Sequence, residues 1–250
     1  MSQKILKTNL RDVTFLVLVS VDSIERVENL SASVNFLLKY FDTNIWVWEC
    51  GSYNNGFLRK LLKKEVEYRF VKNQDTILHR TYYLNQMTLE VQTPYIAIWD
   101  TDVVAHVEQI METVNLLRSN HADFVFPYNH YLLDTSDILR ELYLETGKIQ
   151  ILEENRNKMK EMYPPNPVGG AFFCNREKYI ESGLENEKIY GWGHEDGERC
   201  MRWDRLQYKI KRVEGPLFHL THPRGITSHV QHPDQQVIKT KERVFTNRLT

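Results

Sequence analysis

Apolar runs rich in β-branched residues alternate with stretches of helical periodicity through the first half of the chain. The runs lie at residues 13–21, 44–49, 66–71 and 95–99, and each has the length of a strand. Between the first two, apolar residues recur at three- and four-residue spacing from Ile24 to Leu38, behind Ser23 as a helix N-cap. Strands that alternate with helices form parallel sheets, so this order predicts an α/β layer with a mostly parallel sheet.

The second half is less regular. Residues 138–162 form a long charged stretch of helical character, and residues 162–170 contain three prolines, which is typical of a loop. A strand is predicted at residues 171–174, a helix at 195–206, a strand at 208–219 and a loop from 222 to 236. No linker divides these elements, so we expect a single domain.

Composition narrows the class of protein. The 250 residues include 32 Lys and Arg against 33 Asp and Glu, a formal net charge of −1, which gives no support for a nucleic-acid surface. Aromatic residues make up 12 %, which excludes disorder as the dominant state.

Three cysteines, Cys50, Cys174 and Cys200, are far apart in the sequence and odd in number, so we expect no disulfide framework. The apolar run at residues 15–19 is too short for a transmembrane helix. We therefore expect a cytoplasmic protein, and leave open a peripheral position at the inner face of a membrane.

The triplet Asp100-Thr101-Asp102 directly follows the predicted strand at residues 95–99. Ligands of open α/β sheets bind beyond the carboxyl ends of the strands. Two carboxylates at such a place can hold Mg²⁺ or Mn²⁺ together with substrate phosphates. The alternative is an acidic turn that caps a helix.

The segment GWGHEDGE at residues 191–198 places Glu195 and Asp196 at the start of a predicted helix. One of these carboxylates is a candidate general base, while Trp192 and Gly193 offer a flat face and an open backbone to a sugar ring. The alternative is an ordinary helix N-terminus, where acids are favoured by the helix dipole, beside a buried tryptophan.

Four histidines follow at the spacing H-x2-H-x6-H-x2-H: His219, His222, His229 and His232. Three interpretations remain open. They form a zinc site, they are loop histidines without a ligand, or one of them is a further ligand to an ion held by Asp102.

Weaker signals come from single residues. Glu49 ends the second predicted strand, where it can meet a nucleotide, and Arg26 and Arg80 lie early in predicted helices, where they can pair with phosphate. The pair Gly169-Gly170 allows a ligand to approach the backbone closely. Each of these residues also fits an ordinary surface position or turn.

In this order, the motifs resemble those of GT-A-fold glycosyltransferases, and most closely the β-1,4-galactosyltransferase family with its bacterial family-2-like and chondroitin-polymerase-like relatives. WDTDV resembles the metal-binding DxD of the family, GWGHEDGE is near-identical to GWGGEDDD, and THPRG is similar to a His-Ser-Arg stretch that binds metal. VSVDSIERVENL, NIWVWECG and LHRTYYLN resemble segments around the nucleotide site, and VGGAFFCNREKYIESGLEN resembles the segment that shapes the donor and acceptor pockets. The resemblance covers roughly residues 13–240.

The resemblance implies a GT-A (nucleotide-diphospho-sugar transferase) fold: a single domain with a mixed, mostly parallel central sheet flanked by helices. It also implies a nucleotide-binding half at about residues 13–104 and an acceptor-binding half at about residues 105–250.

The implied activity is that of a metal-dependent inverting hexosyltransferase. A sugar of the galactose or N-acetylhexosamine type would pass from a UDP-sugar to a hydroxyl of a glycan or lipid-linked saccharide. Mn²⁺ (or Mg²⁺) would be held by Asp102 with either His222, as alignment to His-Ser-Arg favours, or His219, as the strand register favours. Asp196 would be the general base and Glu195 would orient the acceptor. The implied binding residues are Glu49, Arg26, Arg80, Asp100 and Gly170 for the donor, and Trp192 and Gly193 for the acceptor.

The chain departs from the family motif at two positions, because His194 replaces a glycine and Gly197 replaces an acid. Three other functions therefore stay open: an inactive module that binds a nucleotide-sugar, a sugar-phosphate nucleotidyltransferase and a zinc-binding interaction protein.

Overall fold

The computed structural model of the chain describes residues 6–191, 193–225 and 233–248. Its first half alternates strand and helix, as the sequence predicts. The elements are β1 (Thr8–Val19), α1 (Ile24–Tyr40), β2 (Phe41–Gly51), α2 (Phe57–Leu61), β3 (Glu67–Lys72), α3 (Arg80–Glu90) and β4 (Tyr95–Trp99).

The second half contains more and shorter elements. They are β5 (Val103–Val104), α4 (Val107–Arg118), β6 (Phe124–Phe126), β7 (Leu132–Asp134), α5 (Asp137–Thr146), α6 (Ile149–Glu154), β8 (Lys160–Glu161), β9 (Ala171–Asn175), α7 (Arg176–Glu181), α8 (Glu195–Arg205), β10 (Ile210–Arg212), β11 (Leu217–His219) and α9 (Pro233–Thr246).

A seven-stranded sheet forms the centre, in the order β10-β6-β9-β4-β1-β2-β3. Four neighbouring pairs are parallel, and β9 runs antiparallel to both β4 and β6. The middle of β1 is fully buried from Val13 to Val19, as expected for a strand covered on both faces. The predicted fold class, a mixed α/β fold with a mostly parallel sheet, is confirmed.

A second, four-stranded sheet has the order β5-β11-β7-β8. In its register His219 lies opposite both Val103 and Asp134. The amide of Leu220 also donates to the carbonyl oxygen of Asp102 at 2.7 Å. This small sheet therefore ties the acidic triplet after β4 to the histidine segment, which lies more than 100 residues later in the chain.

Three predicted elements differ from the structure. The stretch at residues 138–162 is not one helix, because Gly147 takes a left-handed φ of 59° that ends α5. The strand predicted at 208–219 is divided at Gly215 (φ 122°), so that β10 and β11 join different sheets. The loop predicted from 222 to 236 already includes the first turn of α9 at its end.

Other local predictions are confirmed. The strand Tyr95–Trp99 has the predicted bounds, and the Ser23 hydroxyl caps α1 by accepting from the amide of Arg26 at 3.2 Å. Within the described ranges, each helix is too short or too polar to cross a bilayer.

Candidate active site

A cavity of about 350 Å³ lies beyond the carboxyl ends of β1 and β4. Its wall includes Ser20 after β1, the turn at residues 100–103 after β4, the loop at 162–170, the start of α8 and His219 with His222. This is the edge of an α/β sheet at which ligands bind.

One end of the cavity, here called the histidine end, consists of Asp102, His219 and His222. The possible ligand atoms of the three side chains all lie within 4.8 Å of one another. The Nε2 atom of His222 lies 3.1 Å from Asp102 Oδ2, and the Nε2 atom of His219 lies 3.7 Å from Asp102 Oδ1. The structure thus brings together both histidines between which the sequence could not decide.

Both histidines are held through their Nδ1 atoms. His219 Nδ1 lies 2.7 Å from Asp134 Oδ1, and His222 Nδ1 lies 2.8 Å from the carbonyl oxygen of Pro223. Carboxylates and carbonyls only accept, so each Nδ1 carries a hydrogen and each Nε2 is directed at Asp102. This is the usual arrangement of histidines that ligate a metal through Nε2.

Positive groups surround the Asp102 carboxylate. Burial alone would raise the pKa of Asp102, but His219, His222 and Arg26 together hold it well below its usual value. The pKa of His219 is raised in turn: burial lowers it, and the carboxylates of Asp102 and Asp134 outweigh that effect. Without a cation, protons on the histidines balance this carboxylate, and a bound divalent cation would displace them.

The other acid of the triplet, Asp100, has a different partner. Arg80 Nη2 donates to Asp100 Oδ1 at 2.6 Å. Burial raises the pKa of Asp100 and so does Asp102, against the lowering effect of Arg80. The two carboxylates of the triplet thus face different cations, and only Asp102 belongs to the histidine end.

The opposite end, here called the carboxylate end, consists of Glu195 and Asp196 at the start of α8. Gly193 and His194 lead into the helix with φ values of 90° and 73°, a left-handed turn that favours glycine. Glu195 is buried, and its Oε2 has no hydrogen-bond partner among the described residues. Burial, then the charge of Asp196, raises the pKa of Glu195 to about 7.

The Asp196 carboxylate is fixed on one side only. Arg199 Nη2 donates to Asp196 Oδ1 at 2.7 Å. The other oxygen, Oδ2, lies 2.8 Å from the point that a Cβ on Gly169 would occupy. A side chain at position 169 would displace this oxygen, so the glycine keeps the oxygen's place at the cavity wall open.

Two comparisons with known proteins bear on this site. Residues 150–229 match the family model described as the N-terminal domain of galactosyltransferase, a segment that contains α8, β11 and both histidines of the histidine end. No curated protein sequence matches the chain.

Solved structures share the fold. A mannosyltransferase from Pyrobaculum calidifontis, in complex with GDP-Man and Mn²⁺, is 13 % identical with a TM-score of 0.56, over 86 % of this chain and 58 % of that one. The catalytic domain of Drosophila β1,4-galactosyltransferase 7, in complex with xylobiose, is 15 % identical with a TM-score of 0.56, over 92 % of this chain and 80 % of that one.

The fold is that of the GT-A glycosyltransferases. The predicted resemblance to this group is confirmed, and the family match together with the fold supports an enzyme of the transferase class. The chain spans less than two thirds of the length of the mannosyltransferase.

Most site residues predicted from the sequence line the cavity of this GT-A fold. Glu49 does not: it is buried at the end of β2, where its Oε2 accepts from the Tyr68 hydroxyl at 2.6 Å. Trp192, His229 and His232 lie outside the described residues. The predicted residues that line the cavity are Arg26, Arg80, Asp100, Asp102, Gly170, Gly193, Glu195, Asp196, His219 and His222.

Gly170 contributes through its backbone. Its carbonyl oxygen accepts from the Asp100 amide at 2.9 Å, and at its φ of 83° a Cβ would lie 2.7 Å from Leu217 Cδ2. A glycine here lets β9 begin beside the acidic triplet.

The sequence did not reveal Asp134 or Arg199. Asp134 ends β7, a three-residue strand with no clear pattern of its own, and reaches His219 only through sheet register. Arg199 is a buried arginine in a highly charged helix, where spacing alone resembles a solvated face.

Proposed function

We propose that this chain is a metal-dependent inverting glycosyltransferase. It transfers a sugar of the galactose or N-acetylhexosamine type from a UDP-sugar to a hydroxyl of a glycan or lipid-linked saccharide. One observation carries the proposal: a single cavity has a cluster suited to a cation at one end and a half-fixed carboxylate at the other.

The histidine end fits a divalent cation. It offers one carboxylate oxygen and two imidazole Nε2 atoms, a mixed donor set that suits first-row transition ions. We assign Mn²⁺ ahead of Mg²⁺, because Mg²⁺ strongly prefers oxygen ligands. When bound, the ion would act as a Lewis acid that offsets the charge of the departing diphosphate. The complex of the structurally similar mannosyltransferase with GDP-Man and Mn²⁺ supports this assignment.

Asp196 is the proposed general base at the carboxylate end. Its Oδ2 accepts the proton of the acceptor hydroxyl while the hydroxyl oxygen attacks the anomeric carbon from the face opposite the leaving group. The bond from that carbon to the phosphate oxygen breaks, the nucleotide takes the electron pair, and the configuration inverts. Glu195, with a pKa of about 7, is partly protonated at neutral pH and can donate a hydrogen bond that orients the acceptor.

The donor would lie between the two ends. Arg26 and Arg80 line the cavity and provide cations for the diphosphate, and Asp100 holds Arg80 in place. Glu49, Gly170, Trp192 and Gly193 keep their predicted roles at the donor and the acceptor. Residues 13–104 and 105–250 keep their proposed division into a nucleotide-binding and an acceptor-binding half, with the cation held between them by Asp102, His219 and His222.

Cys50, Cys174 and Cys200 are unpaired, in keeping with a reducing compartment, and we place the reaction in the cytoplasm.

The first experiment measures the melting temperature with UDP, GDP and CDP, each with Mn²⁺ or with EDTA. At 100 times its dissociation constant, a ligand of the native state adds about 2.7 kcal/mol, or roughly 5–10 °C for a chain of this size. We expect this increase with UDP and Mn²⁺ and its loss with EDTA. No increase with any nucleotide, or one that EDTA leaves unchanged, would contradict the proposal.

A transfer assay then separates an enzyme from an inactive binding module. The donors are UDP-galactose, UDP-N-acetylglucosamine and UDP-N-acetylgalactosamine, and the acceptors are monosaccharides that include N-acetylglucosamine and xylose. We expect turnover with one donor that depends on an acceptor. Binding of UDP with Mn²⁺ but no turnover of any donor would favour the inactive module.

A further inference from the structure

Two buried arginines lie three residues apart on α8, and each is paired with a buried glutamate. Arg199 Nη1 lies 2.7 Å from Glu185 Oε1, and Arg202 Nε lies 3.0 Å from Glu198 Oε1. A hydroxyl group also donates to each glutamate: Tyr179 to Glu185 at 2.5 Å and Thr246 to Glu198 at 2.8 Å.

The two pairs differ in what else the arginine reaches. Arg202 continues to the carbonyl oxygens of Ser182 and Leu184, which are backbone groups of the loop after α7. Arg199 continues to Asp196 Oδ1 at 2.7 Å, and so reaches the carboxylate end of the cavity.

The Arg199 guanidinium has little freedom to move. Its side chain is 2 % exposed, and its Cζ lies 4.2 Å from the ring centre of Phe172 and 5.3 Å from that of Trp203. Asp196 is more open, with 33 % of its side chain exposed. A rigid buried group thus holds one oxygen of a carboxylate whose other oxygen lies at the cavity wall beside Gly169.

We infer that Arg199 is a positioning residue for the transfer reaction, which holds the Asp196 carboxylate so that Oδ2 meets the acceptor hydroxyl. The inference rests on the proposed function, in which Asp196 is the base. Glu185 has a part in the same arrangement: it shares the Arg199 charge. An arginine paired with Asp196 alone would stabilise the ionised carboxylate more strongly and make it a weaker base.

The test uses two double variants that remove the cation and neutralise its glutamate, so that no buried charge is left without a partner. They are Arg199→Met with Glu185→Gln, and the matched control Arg202→Met with Glu198→Gln on the same helix. We expect kcat to fall about 10-fold to 100-fold in the first variant, because small displacements of a catalytic group have effects of that size. The dissociation constant for UDP with Mn²⁺ should stay within about twofold, because the histidine end is untouched.

The control variant loses a comparable buried pair but no contact with Asp196. We expect it to lose thermal stability and to keep kcat within about twofold of the wild type. If the Arg199 variant also keeps its kcat, Arg199 serves the fold alone and the inference is wrong.

Single lysine substitutions provide a second test if the double variant does not fold. A lysine has one compact ammonium group and cannot bridge Glu185 and Asp196 as the forked guanidinium does. We expect Arg199→Lys to lower kcat at unchanged UDP affinity, and Arg202→Lys to leave kcat unchanged. Equal kcat values in the two lysine variants would overturn the inference.

An Asp196→Asn protein measured in parallel separates the two levels of the argument. Full turnover by this variant would remove the base assignment itself, and with it the proposed mechanism. Loss of turnover by Asp196→Asn, beside normal turnover by the Arg199 variants, would remove only the role of Arg199.

Discussion

The two ends of the cavity place carboxylates in opposite electrostatic surroundings. At the histidine end, His219, His222 and Arg26 outweigh the effect of burial and hold the pKa of Asp102 low. At the carboxylate end, burial and a neighbouring carboxylate raise the pKa of Glu195 to about 7. The same chemical group is thus prepared for a cation at one end and for proton exchange at the other, and its neighbours decide which.

The two ends are also built differently. Strand pairing between β5, β11 and β7 fixes the histidine end, because His219 lies opposite both Val103 and Asp134. A left-handed turn into α8 and a buried arginine fix the carboxylate end. The first is an arrangement of backbone hydrogen bonds, and the second depends on a few side chains.

The largest expected effect is at the carboxylate end. Asp196→Asn should lower kcat about 10²-fold to 10⁴-fold, because it removes the group that takes the acceptor proton. UDP affinity in the presence of Mn²⁺ should be unchanged, since the histidine end is intact. Steady-state kinetics and calorimetry on the same preparation measure both quantities, and a parallel loss of affinity would show that the two ends are not separate.

At the histidine end, Asp134→Asn should weaken Mn²⁺ binding about 10-fold to 100-fold, the usual effect of losing a carboxylate that orients a ligating histidine. Asp137→Asn is the control, because Asp137 is exposed three residues later on α5. Equal Mn²⁺ affinities of the two variants would mean that the contact between Asp134 and His219 does not serve metal binding.

The raised pKa of Glu195 predicts a pH-dependent effect on stability. Between about pH 4.5 and 7 the folded chain keeps a proton that the unfolded chain has lost, so the free energy of unfolding falls as pH rises through this window. Glu195→Gln stays neutral and lacks this loss. Its stability relative to the wild type should grow by on the order of 2 kcal/mol from pH 5 to pH 8. Urea unfolding at both pH values tests this, and a constant difference would contradict it.

The smallest expected effect concerns backbone strain at the turn into α8. His194 and Gln207 both have left-handed φ values, 73° and 58°, which cost energy in residues with a side chain. Replacing either with glycine should stabilise the chain by about 0.5 kcal/mol, the difference between relieved strain and the added freedom of the unfolded chain.

His194 lines the cavity and Gln207 does not. We therefore expect only His194→Gly to change the acceptor KM, with stability gains that are similar in the two variants. If both glycine variants leave the acceptor KM unchanged, the turn into α8 does not contact the acceptor.

The sequence indicated the sheet edge well because those signals are local. The strand Tyr95–Trp99 and the acids that follow it are adjacent in the chain, and GWGHEDGE carries its own resemblance. Both indicate a site without knowledge of long-range contacts.

What the sequence left undecided depends on contacts between distant residues. Only the register of the small sheet directs His219 at Asp102, and Asp134 reaches that histidine from 85 residues away in the chain. The contacts of Arg199 with Glu185 and Asp196 need the packing of α8 against the loop before it. Spacing along the chain contains no information about such pairs.

The central claim is that the histidine end holds the cation that binds the nucleotide. Titration calorimetry of UDP into the wild type and into Asp102→Asn, each with Mn²⁺ or EDTA, tests it most directly. The account predicts Mn²⁺-dependent binding by the wild type and affinity weakened by about 100-fold or more in the variant, since a direct ligand matters at least as much as the groups that orient it. Equal affinity of the two proteins for UDP in the presence of Mn²⁺ would contradict the account.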